Sequence, residues 1–220
     1  MISKKGSVFL KVFWCLALAF SLFFGFCETI QKDVSDKIVR LHVIANSDSE
    51  IDQRVKLCVR DAILKEMNQK NSGKDITLLS VEENEEQLVL AAESVLEENG
   101  CTYGCTLETG RFSFPVKSYE SITLPAGKYD AVRVVLGDGK GENWWCVMFP
   151  PLCFSESTKG VLTKENETVL KGMVDEQSYA AISDEVITLK PAFKAVELWQ
   201  AFVGKVKEEQ ERHMVSVSLP

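Results

Sequence analysis

The sequence predicts an α+β fold, in which an N-terminal strand and two helices pack on a largely antiparallel sheet. Between residues 49 and 99, apolar residues recur with helical spacing. After Gly100 the pattern changes to the alternation that is typical of strands, and glycine-rich turn signals separate these later segments. A separate amphipathic helix is predicted near the C-terminus.

The composition is that of a folded acidic protein. Among 220 residues, 25 Lys and Arg face 32 Asp and Glu, which gives a formal net charge of -7. The first 27 residues hold three Lys and no acid, so without them the net charge is -10. Nucleic acids and anionic lipid surfaces are bound through clusters of basic residues. The charge therefore argues against both partners, and we expect no nucleic acid to bind.

Residues 1–27 are predicted to be a signal peptide or an N-terminal anchor. Lys4 and Lys5 precede an uncharged apolar run of 16 residues, 12–27. A positive region followed by an apolar region is typical of an export signal. The run is shorter than the roughly 20 residues that comfortably span a bilayer. We therefore expect export, with the leader either cleaved after Cys27 or retained.

The globular domain is predicted to cover residues 28–154 and to begin with a strand over residues 38–45. This segment is rich in β-branched residues and partly alternates in polarity. Successive side chains of a strand point to opposite faces. One face is therefore expected to carry Val39, Leu41 and Val43, and the other Arg40, His42 and Ile44.

A helix is predicted to follow over residues 49–68. Ser47 with Glu50 fits a capping box at its start. Apolar residues at helical spacing form its buried stripe, and Cys58 is expected to be a small core residue on that stripe. On the solvent-facing side we expect the charged residues Arg54, Lys56, Arg60, Asp61, Lys65 and Glu66.

The rest of the domain is predicted to contain one more helix and then strands. The helix covers residues 81–99 and is terminated by Gly100. Thr109-Gly110 and Gly137-Asp138-Gly139 are hairpin signals. Four strands are predicted, over residues 103–108, 111–118, 130–136 and 144–149.

The C-terminal part is predicted to be a linker, a helix and a tail. Residues 155–189 are polar with little apolar periodicity, which favours a linker. Residues 190–210 form an amphipathic helix that carries Trp199 and Phe202 on its apolar side, and the tail follows. The helix could pack back on the domain, or insert into a partner's groove or a membrane boundary.

The chain has seven cysteines, and their spacing gives no zinc site. Cys101 and Cys105, like Cys146 and Cys153, lack the spacing and the nearby histidines of zinc fingers. Cys146 and Cys153 flank a Pro-Pro turn and are a candidate disulfide, which an exported protein permits. No local signature supports a nucleophilic pair of Cys146 with His42. We predict no catalytic residues, no metal and no cofactor.

The run Asn143-Trp144-Trp145 is unusual. On a regular strand the two tryptophans point to opposite faces, so one of them should be exposed or lie under another element. The C-terminal helix could cover it, or it could anchor a protein partner, or it could form a carbohydrate platform. We take Asn143, Trp144, Trp145, Trp199 and Phe202 as candidate partner-binding residues.

Four motifs between residues 38 and 154 form a further pattern. They are Arg40-Leu41-His42-Val43-Ile44-Ala45-Asn46-Ser47-Asp48-Ser49, Val59-Arg60-Asp61-Ala62, Leu124-Pro125-Ala126-Gly127-Lys128-Tyr129 and Gly141-Glu142-Asn143-Trp144-Trp145-Cys146-Val147-Met148-Phe149-Pro150-Pro151-Leu152-Cys153. Together they resemble the stage II sporulation protein R family, and the last motif is long enough to be specific. Residues 191–204 resemble that family's C-terminal helix, whereas Cys58, Cys101 and Cys105 lie outside the pattern.

The resemblance implies a small signalling protein of endospore-forming bacteria. Such a protein is made in the forespore and secreted into the space between the two membranes. There it triggers a membrane-embedded aspartic protease of the mother cell, which cuts the precursor of sigma factor E. The implied partner is that protease, with transient or N-terminal membrane contact. The competing hypotheses are an extracytoplasmic thiol- or cell-wall-directed enzyme that uses Cys146, and a structural module held by the C-terminal helix.

Overall fold

The protein is an α+β protein, as predicted. The computed structural model describes residues 4–71, 76–119, 121–150, 164–183, 193–194 and 197–198. The helices in these ranges are α1 (Lys4–Ser35), α2 (Glu50–Asn71), α3 (Leu78–Glu82), α4 (Glu85–Glu98), α5 (Lys164–Met173) and α6 (Glu176–Ile182). The strands are β1 (Val39–Ile44), β2 (Cys105–Phe114), β3 (Lys117–Tyr119), β4 (Ile122–Leu124), β5 (Gly127–Leu136) and β6 (Asn143–Phe149).

The main sheet has four strands in the order β2-β5-β1-β6. β1 runs parallel to β5 and antiparallel to β6, and β2 runs antiparallel to β5. β3 and β4 form a separate antiparallel pair. The sheet is therefore mostly antiparallel, and β1 is an interior strand with a neighbour on each side.

One face of the sheet packs against α2 and α4 and forms the first core. Val39, Leu41 and Val43 point into it from β1, as the alternation predicts. The helical stripes predicted for this region supply the other wall of the core. Their buried members are Val55, Val59, Ile63 and Met67 of α2 and Leu88, Ala92 and Leu96 of α4.

The other face of the sheet forms a second core under elements that the sequence did not indicate. The end of α1, the β3–β4 pair and α6 cover it. Buried residues of this cluster include Ile30 and Val34 of α1, Tyr129 of β5 and Ile182 of α6. The sheet is thus covered on both faces, so each tryptophan of β6 packs at the border of one of the two cores.

Both predicted hairpins are wrong, because neither signal joins two strands that pair with each other. β2 continues through Gly110 and pairs with β5 over its whole length, from Cys105 opposite Leu136 to Phe114 opposite Gly127. The residues of the second signal do form a turn, with Gly137 at φ +53°. This turn joins β5 to β6, which lie on opposite sides of β1.

Two further predictions need correction. The helix predicted over residues 81–99 is two helices, because a capping box of Thr77 and Ser80 starts α3 before the predicted bounds and α4 begins at Glu85. Part of the predicted linker, residues 155–189, forms α5 and α6. Its sparse apolar residues, such as Leu170 and Tyr179, are buried in the second core, although they are too few to give a clear period.

The described part of the C-terminal helix contacts the domain. Phe193 is buried in the second core, and Leu198 is exposed. The carboxylate of Glu197 accepts a hydrogen bond from the backbone N–H of Val116 at 3.4 Å. Trp199 and Phe202, which we predicted as partner-binding residues, lie outside the described residues.

Candidate functional site

The candidate site lies at the carboxyl end of β1, where the chain crosses from β5 to β6. Residues 137–142 pass over the end of β1 because β5 and β6 flank it. The backbone N–H groups of Lys140 and Gly141 donate to the carbonyls of Asn46 and Ala45 at 3.1 and 2.9 Å. Glu142 N–H donates to the Asp48 carboxylate at 2.8 Å. The crossing segment is therefore fixed to the residues that follow β1.

Gly141 is required by this close approach. A Cβ at this position would lie 2.3 Å from the carbonyl oxygen of Ser47, far inside contact distance. The neighbour is backbone, which cannot swing aside as a long side chain can. Any larger residue would push the crossing segment away from β1, and Asn143 follows two residues later.

The start of α2 is tied to the same corner. Ser49, not Ser47, caps the helix, since its Oγ accepts from the backbone N–H of Asp52 at 3.1 Å. The predicted capping box of Ser47 with Glu50 is therefore wrong. Ser47 Oγ instead donates to the Asp52 carboxylate at 2.5 Å, and Asn46 Nδ2 donates to it at 3.0 Å.

Asp52 is a buried hydrogen-bond acceptor rather than a free acid. The Ser47 and Tyr103 hydroxyls and the Asn46 amide all donate to its carboxylate. These bonds stabilise the ionised form, and the bond from Ser47 contributes most to lowering the pKa of Asp52. Burial and the bond to Asp52 raise the pKa of Tyr103. The pair joins α2 to the segment before β2.

Lys56 and Arg60 are buried, in contrast to the solvent-facing positions predicted for them. Their exposed fractions are 4% and 6%. Lys56 Nζ donates to the carbonyl of Glu142 at 3.0 Å and to the side chain of Gln53. Burial is the main cause that lowers the pKa of Lys56. The lysine thus fixes the residue that precedes Asn143.

Trp144 lies on the face of the first core and packs on Arg60. The Arg60 guanidinium is 4.7 Å from the centre of a Trp144 ring. Its Nη2 forms an ion pair with Oδ1 of Asp61 at 2.7 Å. Trp144 is half-buried. Its Nε1 is buried and has no hydrogen-bond partner in the described part of the chain.

Trp145 lies on the opposite face and packs on His42. The two rings are stacked, with centroids 3.7 Å apart, and Phe114 meets Trp145 edge-on at 4.9 Å. His42 Nε2 is 2.6 Å from Oδ1 of Asn143, to which it donates when its hydrogen is on Nε2. His42 therefore contacts both Asn143, which is exposed, and Trp145, which is half-buried.

Arg40 supports the same strand from inside the second core. It has no exposed surface, and its Nε donates to the carbonyl of Cys146 at 3.0 Å. Its Nη2 donates to the Tyr119 hydroxyl at 3.1 Å, and the guanidinium lies 4.3 Å from the Phe114 ring centre. The backbone of β6 next to Trp145 is thus held by a buried cation.

Asn143, Trp144 and Trp145 form what we call the tryptophan surface. No bulge separates the tryptophans, because Val43 pairs with Trp144 and His42 with Trp145 in regular register. The expectation that they point to opposite faces is confirmed. Each ring is supported by a buried basic residue of its own face, Arg60 or His42, so the surface is partly exposed and firmly positioned.

The cysteines give no free nucleophile at the predicted position. Cys146 is disulfide-bonded and fully buried. Its predicted partner, Cys153, lies outside the described residues, so the pairing stays a prediction. Cys58, Cys101 and Cys105 are free and half-buried, so Cys58 is not the core residue that we expected. The enzyme hypothesis needs a free thiol at Cys146, which a disulfide does not supply.

No metal site is found among the side chains that the structure describes. No group of three or more His, Cys, Asp and Glu in those ranges is placed to hold an ion. Asp52 and Lys56, two buried charged groups of the corner, are hydrogen-bonded to neighbouring backbone and side chains. The arrangement is one that fixes a surface rather than one that exposes a reactive group.

Residues 35–159 match the family model described as stage II sporulation protein R. This match covers more than half of the chain. The chain belongs to the stage II sporulation protein R family. It is 39% identical over 153 residues to stage II sporulation protein R of Bacillus subtilis (strain 168), which is 64% of this chain and 66% of that relative. The chain thus belongs to a family of sporulation proteins. No solved structure matches it.

The fold brings three of the four family motifs together at the candidate site. The first motif, which begins in β1, supplies Asn46 and Asp48, and the α2 motif supplies Arg60. The last motif supplies the tryptophan surface and the two residues before it. Sequence reasoning missed Arg60 and His42 as supports of the two rings. Their signal is their presence in the stage II sporulation protein R motifs, not their polarity.

Proposed function

We propose that this protein is an exported signal that activates a membrane-embedded aspartic protease of the mother cell, and that the tryptophan surface is the contact. It is made in the forespore and acts in the space between the two membranes. The activated protease then cuts the precursor of sigma factor E. Membership in the stage II sporulation protein R family supports the sporulation role.

The main support for this contact is that each of the two tryptophans is held by a buried side chain of its own face. Two half-exposed Trp rings next to an exposed Asn143 offer large rigid side chains, which are typical anchors of protein interfaces. Arg60 and His42 hold the rings in place, so little conformational entropy is lost when a partner binds. Cys146, the next residue of the same strand, is disulfide-bonded.

The decisive experiment reconstitutes the signal in a host that does not sporulate. The full chain is co-expressed with the candidate protease and its precursor substrate, and cleavage of the precursor is measured. Trp144→Ala and Trp145→Ala should each lower cleavage by about tenfold or more, as expected for the loss of an interface anchor. Trp144→Phe and Trp145→Phe should fold even if the alanine variants do not, and should lower cleavage less.

The matched control is Leu90→Ala. Leu90 is a large apolar residue on α4 with 57% of its surface exposed. Its truncation should leave cleavage unchanged. Wild-type cleavage by folded, exported Trp144→Ala and Trp145→Ala variants would show that this surface is not the contact. Absence of cleavage with the native chain would contradict protease activation itself.

A further inference from the structure

The first half of α1 exposes apolar side chains all around the helix. Val12, Phe13 and Trp14 point in three different directions, because successive helical residues are about 100° apart. Their exposed fractions are 51%, 53% and 64%. A helix that docks in a protein groove needs one apolar face, whereas one that is apolar all round is suited to a bilayer interior.

The length of this segment also fits a bilayer. The span that is long and apolar enough to cross a membrane begins at Leu10 and ends at Ser35. Residues 8–26, in which Lys11 is the one charge, would extend about 28 Å as a helix, close to the thickness of a hydrocarbon core. Lys11 lies near one end, where its ammonium can reach the headgroups.

The charges on the two sides define an orientation. Lys4, Lys5 and Lys11 precede or begin the apolar segment, and no acid occurs before Glu28. The region that follows the segment is mixed in charge, with Asp33 among its acids. Positive flanks stay on the cytoplasmic side. The domain therefore lies on the opposite side of the membrane.

The second half of α1 is part of the domain, without a break. Phe26 is 43% exposed, and the next residue, Cys27, is 2% exposed. Ile30 and Val34 are buried in the second core. The Asp33 carboxylate accepts a hydrogen bond from the backbone N–H of Asp175 at 2.9 Å, just before α6. No linker separates the apolar half of α1 from the folded half.

We propose that residues 8–26 stay in the functional protein as a membrane-spanning helix, and that α1 holds the domain directly at the outer surface of the bilayer as one rigid element. The cut predicted after Cys27 would divide α1 and would remove Cys27, a residue that the fold buries. This inference rests on α1 alone. It does not depend on the tryptophan surface or on the protease that we propose as the partner.

The test expresses the full chain in a Gram-positive bacterium that exports proteins. Membranes are washed with alkaline carbonate, and the intact mass of the chain is measured in the pellet, the wash and the medium. We expect the uncut chain in the pellet. A chain that begins at Glu28 in the wash or the medium would overturn the proposal, as would an uncut chain that carbonate extracts.

A matched variant tests whether the unbroken helix protects the junction. A short flexible segment with an Ala-Ser-Ala sequence, inserted between Phe26 and Cys27, should be cleaved and should release the domain. If the variant and the native chain both stay uncut, helix continuity is not what protects the junction. The proposal that α1 resists cleavage because it is unbroken would then be wrong.

A second readout uses Cys15, which lies within the apolar segment and is not covered by other parts of the described protein. If lipid surrounds it, a membrane-impermeant thiol reagent should label Cys15 only after detergent is added. Cys15→Ser identifies the labelled peptide. Full labelling of Cys15 in intact membranes would contradict the membrane-spanning placement.

Discussion

At the scale of single residues, aromatic rings accompany the two buried arginines of the described residues, Arg40 and Arg60. Arg40 is fully buried and forms no ion pair with a carboxylate in the described ranges, but its guanidinium lies against Phe114 and Tyr129. Arg60 lies against Trp144 in the same way. A planar guanidinium can stack on a ring and donate hydrogen bonds at its edge at once, which an ammonium cannot do. These positions therefore require arginine.

Arg40→Lys should destabilise the domain by about 2–3 kcal/mol, since lysine cannot keep both hydrogen bonds and the stacking. The bonds at stake join Arg40 to the Cys146 carbonyl and the Tyr119 hydroxyl. The free energy of unfolding in urea measures the change. Arg111→Lys is the control, because its pairs with Asp36 and Asp130 are half-exposed and should cost under about 1 kcal/mol. Equal losses would contradict the argument.

His42 should make stability depend on pH. Burial, with smaller effects of Arg133 and Arg40, lowers the pKa of His42 from its ordinary value of 6.5, and the bond to Asn143 opposes this. The unfolded chain therefore binds a proton as the pH falls through 6.5, while the folded protein does so only at lower pH. The stability is complete above that value and decreases as the pH falls towards the folded pKa.

His42→Gln tests this directly, because glutamine does not titrate. The free energy of unfolding is measured for both proteins from about pH 7.5 to about pH 5.5, a range in which ordinary carboxylates stay ionised. The native chain should lose more stability than the variant over this range. Parallel curves would show that His42 does not contribute.

At the scale of elements, the crossing segment and the start of α2 form one unit. Backbone hydrogen bonds link residues 140 and 141 to the two residues that follow β1, and Lys56 reaches from α2 to the carbonyl of Glu142. The tryptophan surface begins at the next residue. Its position therefore depends on how closely the crossing segment lies against the residues after β1.

Gly141→Ala should displace this segment and destabilise the domain by about 2 kcal/mol, because the new Cβ meets backbone. Gly172→Ala is the matched control, since nothing lies within 4 Å of a Cβ there and the residue is helical. It should be neutral or stabilise the domain by up to about 1 kcal/mol. Thermal unfolding measures both changes, and a neutral Gly141→Ala would contradict the close approach.

Elements with strong internal periodicity could be predicted from the sequence, and those defined by distant partners could not. The alternation in β1 and the apolar stripe of α2 led to the correct location of both elements and to most of their buried apolar residues, although Cys58 is half-buried. Gly110 resembles a turn residue locally, yet β5 pairs with the chain on both sides of it. α6 has seven residues, too few to establish a period before its partners in the second core are known.

The candidate site shows the same limit. The opposite directions of Trp144 and Trp145 follow from strand geometry and could be predicted. Their supports, Arg60 and His42, could not, because a charged residue on a helix is normally expected in solvent. Arg60 is buried where the edge strand β6 places the Trp144 ring over its guanidinium.

At the scale of the whole molecule, two cores share one sheet, and the second depends on segments from both ends of the chain. The end of α1 and the residues of α6 meet there, and Phe193 joins them. The family match begins at residue 35, the last residue of α1. Ile30 and Val34, the residues of α1 in the second core, thus precede the matched region, and they are needed to close this core over Arg40 and Tyr129.

Ile30→Ala should therefore destabilise the domain strongly, although the residue lies close to the predicted leader. Ile30 is 2% exposed in the second core, and truncation of a buried isoleucine to alanine costs about 2–5 kcal/mol. Leu22→Ala on the same helix is the control, because Leu22 is 66% exposed and contributes nothing to the core. The protein is heated in mild detergent and the unfolding of the domain is monitored. Ile30→Ala should lower the unfolding temperature, and Leu22→Ala should not. If both variants unfold at the same temperature as the native chain, α1 is a leader that the domain does not need, and the second core closes without it.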